Sequence, residues 1–215
     1  MRVSRVQAAE NRQSVINAAS RLFRDRGFDG IGLKDLMKGA NLTQGAFYKQ
    51  FESKDDLAAK ASARALESAF QRWSEAAAAH PEDPLGEVLS FYLSSGHRDD
   101  RADGCPIVAL GADAARQGSE VKASFEAGIR TYLDLLARLI GDGERALPKQ
   151  KTMAILSTMV GAMTLSRAVN DSALAQAILD AAADQVRAIA THEPPRSRRQ
   201  RHKSRHRSKT QGVQR

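Results

Sequence analysis

Three residues on one short stretch near the N-terminus, Gln44, Gly45 and Lys49, have the types and spacing to contact DNA. At helical spacing they face outward together, while Ala46 and Phe47 can pack inward. An amide and an ammonium group hydrogen-bond to base edges and phosphate oxygens. The glycine lets the helix approach closely, as a base-reading helix in a major groove must. The pattern predicts a DNA contact.

Two short helices and a tight turn must position this face. Residues 31–54 read IGLKDLMKGANLTQGAFYKQFESK. The chain has to reverse within a few residues, and Asn41 tolerates the positive φ that such a turn needs. Thr43 is a good N-cap for the second helix. The first helix would turn three apolar residues inward, namely Leu33, Leu36 and Met37. Together these features predict a helix-turn-helix.

The same residues carry a family resemblance. The run from Asn41 to Phe51 is followed by Ser53-Lys54-Asp55-Asp56-Leu57 and preceded by Arg26-Gly27-Phe28. This arrangement resembles the signature of the TetR family of bacterial transcriptional regulators, over about residues 11–60. Two residues depart from the usual pattern. Gly32 stands where the family most often has a Thr or Ser cap, and Asn41 replaces the more usual glycine.

The resemblance implies a role for each polar residue of the motif. Those that would face base edges or nearby phosphates are Thr43, Gln44 and Gly45. Those that would contact the DNA backbone are Tyr48, Lys49 and Lys54, and Lys34 would reach a base or a phosphate. Phe47 and Phe51 would hold the helix in place from the core. Phosphate contacts set register and affinity, whereas base contacts supply sequence choice.

The resemblance also implies an all-α fold, with an N-terminal three-helix helix-turn-helix DNA-binding domain and a C-terminal helical ligand-binding and dimerisation domain. Apolar spacing in the body is helical throughout. The predicted divisions are residues 1–55 for the first domain, 56–192 for the second, and a disordered basic tail at 193–215. Predicted helices cover 9–26, 53–80, 85–95, 106–116, 119–140, 149–170 and 172–191, with a charged loop at 96–104. Gly27 is expected to end the first of these helices, and Ser53 to cap the second while Asp56 reaches back to the backbone. The expected inner faces are Leu57, Ala61, Ala65, Ala69 and Trp73 on 53–80, and Leu174, Ile178, Ala181, Ala182 and Ile189 on 172–191.

The last two helices are expected to join two copies of the chain. Their Ala, Gly and Met residues allow close helix approach, so a homodimer would form a four-helix bundle, although they would equally complete a monomer core. An apolar pocket for a small-molecule inducer, whose identity the sequence does not give, is expected between body helices. Its candidate residues, each of which could instead be plain core, are Trp73, Phe91, Tyr92, Phe125, Tyr132 and Met153.

The single cysteine, Cys105, cannot form an internal disulfide. It precedes Pro106 at an expected helix N-terminus, where the helix dipole favours a thiolate that would sense oxidants. The alternative, a small buried apolar side chain, is the more common use of such a cysteine. His97, Asp99 and Asp100 match no familiar zinc spacing. With no phosphate loop or nucleophile elbow either, no metal, cofactor or enzymatic activity is expected.

The charge of the chain is concentrated at its C-terminus. Of the net charge of +8, residues 193–215 supply nine lysines and arginines against one glutamate. This tail would follow DNA phosphates or serve only as a solubilising extension.

Three functions remain open: a repressor released from a double-stranded DNA operator by a small molecule, a sequence-indifferent nucleoid-type protein driven by the tail, and a helical binding protein with a vestigial head. The sequence contains no run of 18 apolar residues, so no membrane-spanning helix is predicted and a cytoplasmic location is expected.

Overall fold

The computed structural model describes residues 4–141 and 149–191, and over these residues the chain is helical with no strand. The all-α prediction is confirmed. The elements are α1 (Arg5–Arg26), α2 (Leu33–Gly39), the 3-10 helix η1 (Gln44–Lys49), α3 (Lys54–Ala79), α4 (Pro84–Tyr92), α5 (Ser95–Asp99), α6 (Pro106–Ala114), α7 (Ser119–Ile140), α8 (Lys149–Arg167) and α9 (Ser172–Thr191). The predicted basic tail lies outside the described residues.

The head comprises α1, α2, η1 and the first turns of α3. Gly27 ends α1 with a φ of 77°, and its N–H donates to the Phe23 carbonyl at 2.7 Å. The Phe23 and Phe28 rings pack 5.2 Å apart, so the chain turns back beneath α1. Apolar residues from all four elements are buried together, among them Val15, Phe23, Leu36, Met37, Phe47, Phe51 and Leu57.

Helix α3 runs from the head into the body. Ser53 caps it by accepting a hydrogen bond from the Asp56 N–H at 3.0 Å. Asp56 reaches back, as predicted, but to the Glu52 N–H at 3.2 Å, one residue before the cap. The predicted apolar stripe is buried along the whole helix and consists of Leu57, Ala61, Ala65, Ala69 and Trp73.

The body is built on the contact between α3 and α7. A Cβ atom at Gly128 would lie 2.7 Å from a methyl group of Leu66, so the glycine permits the two helices to approach closely. The Ser124 hydroxyl donates to the Ala59 carbonyl at 3.1 Å, and the Tyr132 hydroxyl donates to the Leu66 carbonyl at 3.3 Å. Helices α8 and α9 pack against each other, and α8 also contacts α6 and α7.

Several predicted boundaries were wrong. Helix α1 begins at Arg5 because Ser4 caps it, accepting a hydrogen bond from the Gln7 N–H. The predicted loop at 96–104 contains the short helix α5, whose cap Ser94 accepts from the His97 N–H. Other helices end earlier than predicted, at Tyr92, Ala114 and Arg167. On α9, Leu174 and Ala181 are exposed rather than buried. Their burial was wrongly predicted because an alanine-rich helix gives no clear signal for its inner face.

Candidate nucleic-acid interface

The turn between α2 and η1 has the geometry that its sequence predicted. Asn41 has a φ of 57°, and it is the one non-glycine residue at positive φ in the described chain. The Asn41 N–H donates to the Lys38 carbonyl at 3.0 Å, and the Leu42 N–H donates to the Met37 carbonyl at 2.9 Å. These bonds close the turn and set the angle at which η1 leaves α2.

Thr43 lies at the N-cap of η1, as predicted, but its hydroxyl makes no capping hydrogen bond within the described chain. The Ala46 N–H that it would accept from already donates to the Thr43 carbonyl at 3.0 Å, as the tighter 3-10 geometry dictates. The exposed Thr43 side chain therefore keeps its hydroxyl available for an external partner.

Phe47 anchors η1 to the head. Its side chain is fully buried, 5.5 Å from the Phe51 ring on one side and edge-on to the Tyr48 ring at 5.2 Å. Sequence reasoning missed one further support, Arg12 on α1. The Arg12 guanidinium donates to the Gln50 carbonyl at 3.3 Å and lies 5.1 Å from the centre of the Phe51 ring. A lone arginine on a helix gives no sequence signal for such a contact.

The polar residues predicted to contact DNA are presented to solvent around this anchor. Tyr48 is 68% exposed although it adjoins a buried phenylalanine. A Cβ atom built on Gly45 meets no described atom within 4 Å, so nothing obstructs the approach of η1 to another surface. Exposed residues of the predicted set are Lys34, Thr43, Gln44, Gly45, Tyr48 and Lys49, and Lys54 is half-buried on the first turn of α3.

The six aromatic and methionine side chains predicted to bind a ligand fall into two groups. Trp73, Tyr92 and Tyr132 are buried against one another, with the Trp73 ring 5.1 Å from Tyr92 and 4.7 Å from Tyr132. Phe91 lies beside this cluster, stacked on His97 at 5.3 Å. Trp73, Tyr92 and Tyr132 fill the interior, and Phe91 is half-buried at its edge. The structure does not bring them together with Phe125 and Met153.

Phe125 and Met153 line a separate cavity of about 760 Å³ between α6, α7 and α8. Its walls are mainly apolar, with Ile107, Ile129 and Leu133 beside them. Charged side chains stand at its edge, including Lys122 and an ion pair in which Arg130 lies 2.6 Å from Glu126. A cavity of this size and lining suits a drug-sized, largely apolar molecule.

Cys105 lies at the N-cap of α6, and its side chain is only 4% exposed. Burial raises the pKa of Tyr92, and the neighbouring Cys105 raises it further. His97, whose spacing from Asp99 and Asp100 matches no zinc site, is also buried: its ring Nδ1 is 2.7 Å from the Tyr92 carbonyl, and burial lowers its pKa. Among the described residues, no three His, Cys, Asp or Glu side chains are grouped as metal ligands would be.

Residues 15–61 match the model of the bacterial regulatory proteins of the tetR family, and this range contains α2, η1 and their turn. The head of the chain is therefore a TetR-family DNA-binding domain. With the relatives named below, this match identifies the chain as a DNA-binding transcriptional regulator rather than an enzyme. No helix among its described residues is long and apolar enough to cross a membrane.

Two named relatives extend the similarity beyond the head. It is 25% identical over 137 residues to the HTH-type transcriptional repressor NemR of Escherichia coli K12, covering 62% of this chain and 69% of NemR. It is 31% identical over 103 residues to the HTH-type transcriptional regulator AcrR of Shigella flexneri, covering 46% of this chain and 48% of AcrR.

Solved structures agree with the fold of the chain. The reduced form of E. coli NemR superposes with a TM-score of 0.71 at 22% identity, over 84% of this chain and 97% of NemR. A TetR-family regulator from Cytophaga hutchinsonii superposes with a TM-score of 0.73 at 20% identity, over 90% of this chain and all of that one. At these identities the likeness establishes the fold alone.

Proposed function

We propose that this chain is a dimeric, cytoplasmic transcriptional repressor that leaves its DNA operator when a small molecule binds its body. The observation that carries the proposal is the η1 face, which is exposed, free of a side chain at Gly45 and fixed from beneath by Phe47. The relatives named as the repressor NemR and the regulator AcrR support it. The sequence-indifferent alternative is not favoured, because the family match falls on the head.

Within this proposal, the residues of η1 divide between sequence choice and affinity. Thr43, Gln44 and Gly45 lie at the N-terminal end of η1, where a recognition helix meets base edges. Tyr48 and Lys49 lie further along η1 and contact phosphates. Lys34 and Lys54, on the flanking helices, add contacts to the same DNA backbone.

The proposal is tested by selecting duplexes from a random-sequence pool with the full-length protein. A repressor enriches a two-fold symmetric sequence, with half-sites about 10 base pairs apart. Gln44→Ala changes the enriched bases, whereas Lys49→Ala weakens binding to all duplexes alike. Arg138→Ala, which removes an exposed positive charge from α7, is the matched control. It should leave both the enriched sequence and the binding affinity unchanged. Absence of any enriched sequence would overturn the proposal.

The dimer is proposed to form through α8 and α9, because one small head reads too few base pairs. Leu165 is 59% and Leu174 48% exposed on these helices, and a Cβ atom at Gly161 meets no described atom within 4 Å. A second copy packed on this face completes a four-helix bundle. Leu165→Glu should yield monomers in light scattering. Val6→Glu, at an equally exposed apolar residue on α1, should remain dimeric.

The inducer is proposed to occupy the cavity beside Phe125 and Met153, because Trp73, Tyr92 and Tyr132 already fill the space between them. The dye 1-anilinonaphthalene-8-sulfonate serves as the probe, since it fluoresces in apolar sites. Ile129→Trp, which places a bulkier side chain in the cavity, should weaken the dye signal. Val6→Trp, at an exposed position on α1, should leave that signal unchanged. Equal signals from both variants would contradict the assignment.

For Cys105 we propose the packing role, since burial keeps its sulfur from oxidants in solvent. Diamide should then release DNA equally from the wild type and from Cys105→Ser. Release from the wild type alone would assign a redox-sensing role instead.

The basic tail is proposed to follow DNA phosphates. Removing residues 194–215 from the chain should weaken binding to all duplexes and flatten its salt dependence, because fewer counterions are released. An unchanged salt slope would leave the tail as a solubilising extension.

A further inference from the structure

The segment of residues 97–104, which comprises the end of α5 and most of the loop that leads to α6, is held by arginines from three other helices. Four of its backbone carbonyls accept hydrogen bonds from guanidinium groups. The donors are Arg24 on α1, Arg72 on α3 and Arg167 on α8. We call residues 97–104 the arginine-bound segment. It connects the head, through α1, with the helices that line the ligand cavity and the proposed dimer face.

On the head side, the contact centres on Arg24, which is almost completely buried. The Arg24 Nη1 group donates to the Gly104 carbonyl at 3.0 Å, and Nη2 lies 3.5 Å from the Asp103 carboxylate. Arg21, one turn earlier on α1, pairs with the same carboxylate. In return, Arg101 donates to the Asp25 carbonyl at 3.1 Å. The end of α1 is therefore bonded to the segment in both directions.

On the body side, two arginines donate hydrogen bonds to the backbone of the same segment. Arg72 donates to the Asp103 carbonyl. Arg167, the last residue of α8, donates to the Arg98 carbonyl at 2.8 Å and to the His97 carbonyl at 2.9 Å. A displacement of α3 or α8 that keeps these bonds must carry the segment with it.

The segment has little room to move by itself. A Cβ atom at Gly104 would lie 2.3 Å from the Asp100 carbonyl oxygen and 2.5 Å from Arg167 Nη2. Asp103 is further held by its own N–H, which donates to the Asp100 carboxylate at 3.1 Å. Because the backbone at Gly104 is packed against Arg167, the arginine hydrogen bonds join α1, α3 and α8 to a segment whose conformation is fixed.

We propose that Asp103, with Arg24, is a positioning residue that fixes the DNA-binding head against the body. Movement of α8 or α3 reaches α1 through the arginine-bound segment. The inference rests on the proposed dimer, since a symmetric operator is bound tightly only when both heads are held at a defined separation. Loss of the Asp103 charge frees the tilt of each head without touching η1.

The test compares Asp103→Asn with two variants of the full-length chain. Asp103→Glu keeps the charge and should restore most of the binding. Asp99→Asn is the matched control, since the Asp99 carboxylate in the same segment pairs with its neighbour Arg98 and with no described residue of α1. Measurements are anisotropy titrations with the labelled duplex enriched by the wild type, thermal melting, and hydrogen exchange of the amides of α1 and residues 97–104.

Asp103→Asn should bind the duplex about tenfold more weakly at temperatures where it is fully folded, a size typical of coupling between sites. Exchange should quicken at the end of α1, and Asp99→Asn should behave as wild type in both assays. Wild-type affinity for Asp103→Asn, or an equal loss for Asp99→Asn, overturns the inference. If the wild type enriches no duplex, the proposed function fails, and the positioning role is then judged by hydrogen exchange at α1 alone. Unchanged protection of α1 in Asp103→Asn overturns that role.

Discussion

The head and the body of this protein build their proposed functional surfaces in different ways. In the head, the proposed DNA contacts are exposed and Phe47 beneath them is buried, so a few successive residues supply both the surface and its support. In the body, the cavity opens to solvent and is lined by side chains from α6, α7 and α8, which are far apart in sequence. The head is therefore a local structure, whereas the proposed ligand site exists only through the packing of distant helices.

The sharpest way to break the head is to remove its anchor. Phe47→Ala should destabilise the protein by about 3–5 kcal/mol, the usual loss for a buried phenylalanine. Urea unfolding measures this loss. Tyr48→Ala should unfold as the wild type does, because that ring is mostly exposed, yet should bind DNA more weakly. Equal unfolding of the two variants would show that η1 is not anchored as described.

A pair of glycines compares the two regions directly. Gly128→Val places methyl groups against Leu66 between α3 and α7 and should cost about 1–3 kcal/mol, as overpacking does. Gly45→Ala meets open space, so its stability should stay within about 0.5 kcal/mol of wild type, as at other surface positions. Its DNA affinity should fall, because the added methyl group blocks close approach to the groove. The reverse pattern would contradict both assignments.

Acid should act on the body through His97. Its pKa is lowered, chiefly by burial and then by the cations of Arg167 and Arg72, while its hydrogen bond to the Tyr92 carbonyl and the charge of Asp100 oppose the shift. The unfolded chain therefore binds the proton more readily. The contribution of His97 to stability is complete above pH about 6.5 and is lost as the pH falls through its folded-state pKa. Melting temperatures at several pH values test this, and His97→Gln should lose that part of the dependence.

The smallest effect is expected at the cap of α2. Gly32 caps this helix without a side-chain hydrogen bond, and a Cβ atom there meets no described atom within 4 Å. Gly32→Ser should therefore stabilise the head by only a few tenths of a kcal/mol. Any gain in DNA affinity should exceed this, since the hydroxyl group adds a phosphate contact. A stability loss would mean that α2 starts elsewhere.

The prediction of the fold from sequence succeeded where the signals were local. Asn41 in the turn, Gly27 after α1 and the Ser53 cap of α3 each depend on a few neighbouring residues. The long helices followed from apolar spacing, and α7 was predicted with its observed ends. Predictions failed where alternatives differ little locally: the short helix α5 within a charged stretch, and the inner face of the alanine-rich α9.

The amino-acid order by itself determined the helical class, the helix-turn-helix and the residues that form its outer face, because backbone preference and apolar period act over a few residues. Tertiary structure alone decided that Trp73, Tyr92 and Tyr132 fill the interior while Phe125 and Met153 line a cavity. It alone brought Arg24 to Gly104, 80 residues away in the chain. Such contacts depend on how helices cross, and that geometry is set by the sum of many weak packing interactions.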